Sequence, residues 1–294
     1  MSEELAAVEE TARRRGSRPI VWLAWFLLAF FFVNLAGIVF SAVVDSFGDN
    51  WFGNWLPQVW TTHYWSDAWH AYDLGQVLQV TLIVSVAVVI VSVLVGVPAS
   101  YALARRNFPF KHAIMLVFLL PVMVPPIAYG IPLATAMYKF NTITHVQIAN
   151  SMFGVILANL VPAIPFVVLT MTPFIEQIDP KVESAARMCG ASTRKIFTRI
   201  LLPLLVPGVL AASILVLVRT VGMFELTYLT AGTDSETLVV KLFDSISGAG
   251  IRAPQQSDAM AVLYMGMMLV LLVIALRFVN PTQLVTRVAE ERDA

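Results

Sequence analysis

The chain has 294 residues, 58% apolar and only 13% charged, with 19 basic residues, 19 acidic residues and one cysteine, Cys189. Soluble domains run near about 45–50% apolar and about 25% charged, so this much apolar surface calls for a solvent other than water. Zero formal net charge leaves no basic field to gather nucleic acid, and a lone cysteine excludes an internal disulfide framework and a zinc site built on several thiolates.

A membrane-spanning helix needs about 20 mostly apolar residues. In chain order six stretches qualify: 20–44, 77–103, 113–137, 151–174, 201–221 and 259–278. The first follows an arm, residues 1–19, that carries Arg13, Arg14, Arg15 and Arg18. It outruns the about 7–15 residues of a secretory signal core and is read as a retained span. Cytoplasmic loops retain lysine and arginine. The arm, the second connection (Arg105, Arg106, Lys111), the fourth (Lys181, Arg187, Arg194, Lys195, Arg199) and the tail 279–294 with Arg287 and Arg292 are therefore expected inside. Residues 45–76 contain neither Lys nor Arg, and the other two connections hold only Lys139, Lys241 and Arg252. The expectation is an all-α polytopic protein with six transmembrane helices spanning 20–278 and both termini cytoplasmic.

The outer segment 45–76 carries Trp51, Trp55, Trp60, Trp65 and Trp69. Such a stretch suits the membrane interface, where an aromatic ring meets both apolar and wet surroundings; a docking surface for an outer partner is the sharper alternative. His63, His70, His112 and His145 lack the companions of a metal site and are read as surface histidines.

Prolines crowd the third and fourth spans: Pro121, Pro125, Pro126 and Pro132, then Pro162 and Pro165. Each removes a backbone hydrogen bond, and in lipid such breaks persist only where protein or a watery cavity covers them. Apart from Arg277 at the inner end of the sixth span, Arg219, near the outer end of the fifth, is the one charged residue within the predicted spans, and Glu225 is a possible partner for it. Arg219, Glu225, Asn159 and Tyr129 are the candidate pathway residues. No acidic residue falls in the six predicted spans, which gives no support to a buried proton relay. The chain lacks a Gly-Lys dipeptide, so it has no P-loop, and it shows no nucleophile elbow and no His-Glu-x-x-His helix. No cofactor or metal is expected in this chain, and any energy must come from another subunit.

One connection, residues 175–203, is built more carefully than a loop needs. Asp179 and Pro180 form a helix start, with the aspartate as cap and proline at the first helical position. Val182, Ala185, Ala186 and Cys189 follow at helical spacing. Gly190 suits the left-handed stop, and Ser192 is placed to cap a second helix carrying Arg194, Lys195 and Arg199. The prediction is a short helix-turn-helix on the cytoplasmic face; an amphipathic hairpin lying on anionic lipid is the plainer alternative.

Read with Glu183 as its acidic residue, the order Glu183, Ser184, Ala185, Gly190, nine residues to Ile200, then Leu202 and Pro203 resembles the cytoplasmic motif of binding-protein-dependent ABC importer permeases. That motif is Glu-Ala-Ala, three residues, Gly, nine residues, Ile-x-Leu-Pro; Ser184 stands where alanine is usual. The resemblance extends over about residues 75–278, through YALARRNFPFK at 101–111 and LLPVMVPPIAYGIPL at 119–133.

The resemblance implies a type I ABC importer permease fold in a bacterial inner membrane. It further implies a second permease subunit forming a heterodimer, two ATP-binding subunits that hold ATP and Mg, and an outer solute-binding protein. Glu183, Ser184, Ala185, Ala186, Gly190 and Pro203 become ATPase-coupling residues. Glu183 is expected to contact the ATPase, and Gly190 to supply the bend of a rigid lever. For the solute, the middle of the chain looks like carbohydrate permeases and the tail like polyamine permeases. Arg219 tips the expectation toward a sugar, polyol or anionic sugar derivative, with a polyamine as alternative. A secondary transporter is the rival class, disfavoured by the lack of buried acids and inverted repeats. A scaffold or sensor would leave 183–203 without a use, and an enzyme finds no catalytic constellation.

Overall fold

The computed structural model describes the backbone of residues 2–49, 56–248 and 253–278, and side chains of 21–49, 56–248 and 253–277. Trp51, Trp55, Arg252 and the tail 279–294 lie outside the described residues. The described elements begin with α1 (Ser2–Ser46), β1 (Gly48–Asp49), β2 (Val59–Trp60), α2 (His63–Ala71), α3 (Leu74–Arg105), α4 (Lys111–Met123), α5 (Pro126–Thr144) and α6 (Met152–Glu176). They continue with α7 (Pro180–Met188), α8 (Thr193–Ile196), a π-helical turn (Phe197–Leu201), α9 (Leu202–Val221), α10 (Glu225–Thr230), a 3₁₀ turn (Thr233–Ser235), α11 (Leu238–Ser247) and α12 (Pro254–Phe278). Among the described residues, five helices are long and apolar enough to cross a membrane, and a sixth crossing results if α4 and α5 count as one.

That pair corrects the third predicted span. α4 and α5 meet at 99°, so residues 113–137 are not one straight rod. The break falls at Val124 and Pro125, both extended (ψ 135° and 133°), because each precedes a proline and the helical region is closed to a residue in that position. Pro162 and Pro165 behave differently, since α6 runs through both. The helices also overrun the predicted ends: Asp45 falls in the last turn of α1 and Asp258 in the second turn of α12.

The chain divides into two compact units, Met1–Asp67 with Arg252–Val262, and Ala68–Ile251 with Leu263–Ala294. In the first, a two-residue antiparallel ladder pairs Gly48 with Trp60. The Phe47 and Trp65 rings stack at 5.3 Å, the Tyr64 hydroxyl donates to Asp49 at 3.0 Å, and His63 pairs with Asp67 at 2.9 Å. The tryptophans therefore divide their work: Trp65 packs inside its unit, whereas Trp60 is 57% exposed beside exposed Leu56 and Val59, as an interfacial ring would be.

In the second unit α3, α6 and α9 form the core. Val84 and Val88 of α3 meet Val167, Met171 and Ile175 of α6 and Leu205, Ala212 and Val216 of α9. Lipid is as apolar as these side chains, so close packing and interhelical polar contacts hold the helices together. Small residues permit it: a Cβ on Gly96 would lie 2.6 Å from Cγ1 of Val167. Thr81 supplies polar glue. Its hydroxyl donates to the Val77 carbonyl at 2.7 Å and accepts the Leu238 amide at 2.9 Å, tying the start of α11 to α3.

Candidate functional site

The 175–203 connection forms the expected elbow, with differences. The Asp179 carboxylate accepts the Lys181 amide at 2.8 Å, Pro180 opens α7, and Gly190 takes φ +79°. The Gly190 amide donates to the Arg187 carbonyl at 2.9 Å and the Ala191 amide to that of Ala186 at 3.0 Å, the paired bonds of a Schellman stop. Ser192 holds the N-cap position of α8, but its side chain makes no capping hydrogen bond. The second helix is not a separate short piece either, since α8, the π turn and α9 run on as one helix over Thr193–Val221. The π turn sits directly ahead of Pro203: the Leu202 amide reaches back five residues to the Phe197 carbonyl, and the wider turn admits a ring that would strike the carbonyl four residues earlier in a regular helix.

Glu183 departs most from expectation. It is 3% exposed, and its carboxylate turns into the chain instead of outward to a partner. Arg105 Nε donates to Oε1 at 2.8 Å and the Tyr101 hydroxyl to Oε2 at 2.9 Å, with Arg187 more distant at 3.5 Å. Arg105 also donates through Nη2 to the Ile178 carbonyl, and the Tyr101 ring meets Phe197 edge-on at 5.3 Å. A buried carboxylate is tolerable only when paired and hydrogen-bonded in this way. Tyr101 and Arg105 were missed as site residues; their i, i+4 spacing in YALAR, which sets both on one helix face, was the available signal.

Counting back from Gly190 corrects the motif frame, and the burial of Glu183 agrees with it. Arg187, Met188 and Cys189 are the three residues before Gly190, so the triplet falls on Ser184, Ala185 and Ala186, one step later than a frame that starts at Glu183. Ser184 and Ala185 are exposed, and Ser184 donates to the Pro180 carbonyl at 3.2 Å. Ala186 is half-buried against the core. The outward acidic position of the motif is thus a serine here. Beside the elbow, Tyr101, Arg105, Arg106, Asn107, Arg187 and Thr193 line a polar cleft of about 450 Å³.

Three of the four candidate pathway residues come together toward the other end of α9. Arg219 lies in its last turn, half-buried, with the guanidinium carbon 5.7 Å from the centre of the Phe166 ring. Tyr129 on α5 lies within electrostatic reach of both Arg219 and Glu225. Its hydroxyl donates at 3.4 Å to the Pro121 carbonyl, which Pro125, lacking an N–H, leaves without a helical partner. Tyr129 also lines an apolar cavity of about 330 Å³ with Leu120, Pro121, Val124, Leu133 and Val161.

Among the described residues no ion pair joins Arg219 to Glu225, so the pairing, one of two open readings, is not formed. The turn at Gly222–Phe224 separates them and sets Glu225 at the start of α10, where the helix dipole favours a carboxylate. Asn159 is 2% exposed; its amide donates to the Val155 carbonyl at 2.9 Å and to Thr227 at 3.3 Å, while Oδ1 has no partner. It joins α6 to α10 within the packing.

Among the described residues the chain is predominantly helical, with five apolar crossings, or six when the pair broken at Pro125 counts as one, and a capped elbow before a late crossing, the build of a polytopic membrane protein. It belongs to the family of binding-protein-dependent transport system inner membrane components, whose family model matches residues 93–284. It is therefore a multi-pass inner-membrane protein and an ABC importer permease subunit. The chain is 32% identical over 166 residues to a probable molybdenum ABC transporter permease of Haloferax volcanii, covering 56% of this chain and 61% of that relative. It is 31% identical over 183 residues to the molybdenum transport system permease ModB of Haemophilus influenzae, covering 59% and 80%. A probable sulfate transport system permease of Chlorokybus atmophyticus is 32% identical over 151 residues, covering 49% and 53%.

Among solved structures, a bacterial ABC transporter that imports the acidic polysaccharide alginate matches with TM-score 0.71 at 16% identity, over 89% of this chain and 96% of that one. The MetNI methionine ABC transporter matches with TM-score 0.52 at 18% identity, over 69% and 93%. These share the fold. The sequence relatives named here are molybdenum and sulfate permeases, so the expected carbohydrate solute finds no support in them.

Proposed function

We propose that the chain forms half of the translocation pathway of an ATP-driven importer and passes a small oxyanion of the molybdate or sulfate class. A second permease completes the pathway, two ATP-binding subunits carry ATP and Mg, and an outer binding protein delivers the solute. The elbow at 175–203 faces the cytoplasm with both termini and takes the push of the ATPase through its exposed Ser184, Ala185 and Met188 face. Gly190 supplies the turn that ends α7, and Pro203 seats the returning helix on α9.

Arg219 is the observation that carries the solute class. It is the one ionisable residue of α9, held half-buried on the Phe166 ring with its fork of donors free of any ion pair among the described residues. Guanidinium matches the geometry of a tetrahedral oxyanion and binds it through charge-assisted hydrogen bonds. A polycation is repelled there, and a neutral sugar gains little from the charge. The names of the relatives agree with this chemistry.

The test is a thermal-shift panel on the cognate binding protein with molybdate, tungstate, sulfate, neutral sugars, sugar acids and polyamines, followed by uptake into proteoliposomes holding the purified complex. Stabilisation and uptake confined to tetrahedral oxyanions are expected. A response to neutral sugars or polyamines alone would overturn the solute assignment, and a wild-type chain that purifies without an ATPase would overturn the importer assembly.

A further inference from the structure

We infer that Arg105 and Tyr101, gripping Glu183, form a latch that makes the end of α3 and the elbow helix α7 move as one body. The inference rests on the importer reading above and concerns how the elbow passes its motion on. By chain connection alone, α7 would act only on its two sequence neighbours, α6 and the α8–α9 helix. Its link to α9 runs through Gly190, whose surroundings are open: nothing lies within 4 Å of where a Cβ would stand. A lever joined only by such links loses displacement to bending.

The latch gives a third attachment, distant in sequence. Glu183 lies in the first turn of α7 with its side chain 4% exposed, and its partner Arg105, at the last residue of α3, is 12% exposed. Arg105 holds the Ile178 carbonyl at the entry to α7 as well, so it grips the elbow at two points. Tyr101, one turn earlier, bonds the same carboxylate and packs on Phe197 of the returning helix. Three segments are thereby fixed to one charged centre. Because α3 contributes Val84, Val88 and Val97 to the core it shares with α6 and α9, a push on α7 reaches the whole packed bundle through α3. Glu183 is the residue before the family triplet, and its role here is positioning.

The test uses the complete complex in proteoliposomes. Arg105→Gln keeps the size of the side chain and removes the charge. In the fraction that inserts, ATPase copurification and hydrolysis should persist while solute moved per ATP falls about tenfold, within the range that breaking one link of a coupling chain produces. Tyr101→Phe should give a smaller fall, and the exchange Arg105→Glu with Glu183→Arg should recover much of the loss. Spin labels on the native Cys189 and on Asn107→Cys, both exposed, report the rigid-body claim directly. Their separation should be the same with and without trapped nucleotide in the latched protein, and should differ between those states in Arg105→Gln.

An unchanged solute-to-ATP ratio in Arg105→Gln, or a separation that shifts with nucleotide while the latch is intact, would sink the proposal. If Arg105→Gln fails to insert, the Tyr101→Phe ratio and the label separation in the latched protein decide it. Failure of the importer reading looks different, because the ATPase would then be absent from the wild-type preparation.

Discussion

Gly96 and Val167 touch as α3 crosses α6: a Cβ at position 96 would lie 2.6 Å from Cγ1 of Val167 and 2.8 Å from its Cβ. Neither atom can retreat far, because Val167 is 0% exposed and its own Cβ is fixed to the backbone. Gly96→Ala should therefore overpack the contact and destabilise the subunit by about 1–3 kcal/mol. Thermal inactivation in detergent should show a lower Tm, and combining it with Val167→Ala should return part of the loss. A Gly96→Ala protein as stable as wild type would show that the helices separate at no cost.

Gly190 holds φ +79°, which a side chain with a Cβ adopts at a cost of roughly 1–2 kcal/mol. Gly190→Asp should insert and assemble, yet hydrolyse ATP with little uptake, because the elbow stop becomes strained and gains a charge on the face proposed to meet the ATPase. Gly190→Asn should be milder, since asparagine occupies the left-handed region as readily as aspartate and brings no charge to that face. Uptake and phosphate release measured on the same vesicles separate coupling from abundance.

Ser184 occupies the exposed acidic position of the family motif. Restoring the acid, Ser184→Glu, should leave the fold intact and raise the share of ATPase retained through purification. Glu183→Gln, by contrast, should lower stability, because the Arg105 charge is left buried without its counter-ion, a loss of about 3–5 kcal/mol in comparable settings. The copurification ratio should rise in Ser184→Glu at an unchanged Tm, and the Tm should fall in Glu183→Gln.

Arg219→Gln should weaken oxyanion transport by about tenfold to a hundredfold, the loss of one charge-assisted contact of about 1.5–3 kcal/mol. Arg219→Lys should recover only part, because an ammonium lacks the planar fork and stacks less well on Phe166. Initial uptake rates against solute concentration give the measurement, with ATP hydrolysis as the control for assembly.

Much of the architecture was legible in the residues alone, for a reason peculiar to lipid. A backbone in hydrocarbon must satisfy its own hydrogen bonds, so a long apolar run has little choice but to be a helix, and counting runs counts crossings. The Asp179–Pro180 start and the Gly190 stop were legible too, because capping and a positive φ are decided within a few residues.

What escaped that reading depends on who the neighbours are. Pro125 and Pro162 are the same residue in similar apolar runs, yet the first sits in a proline pair that turns the chain by 99°, and the second rides inside an unbroken α6 packed on α3 and α9. Glu183 reads as a solvent-facing acid on a short polar helix. Its burial follows from Arg105 and Tyr101, 78 and 82 residues away, which only the packing of α7 against the end of α3 brings within reach. Local sequence determined where helices start, stop and cross, because those choices are settled over one or two turns. The tertiary structure decided which face of α7 looks inward, since that depends on a charge pair closed across two separate helices.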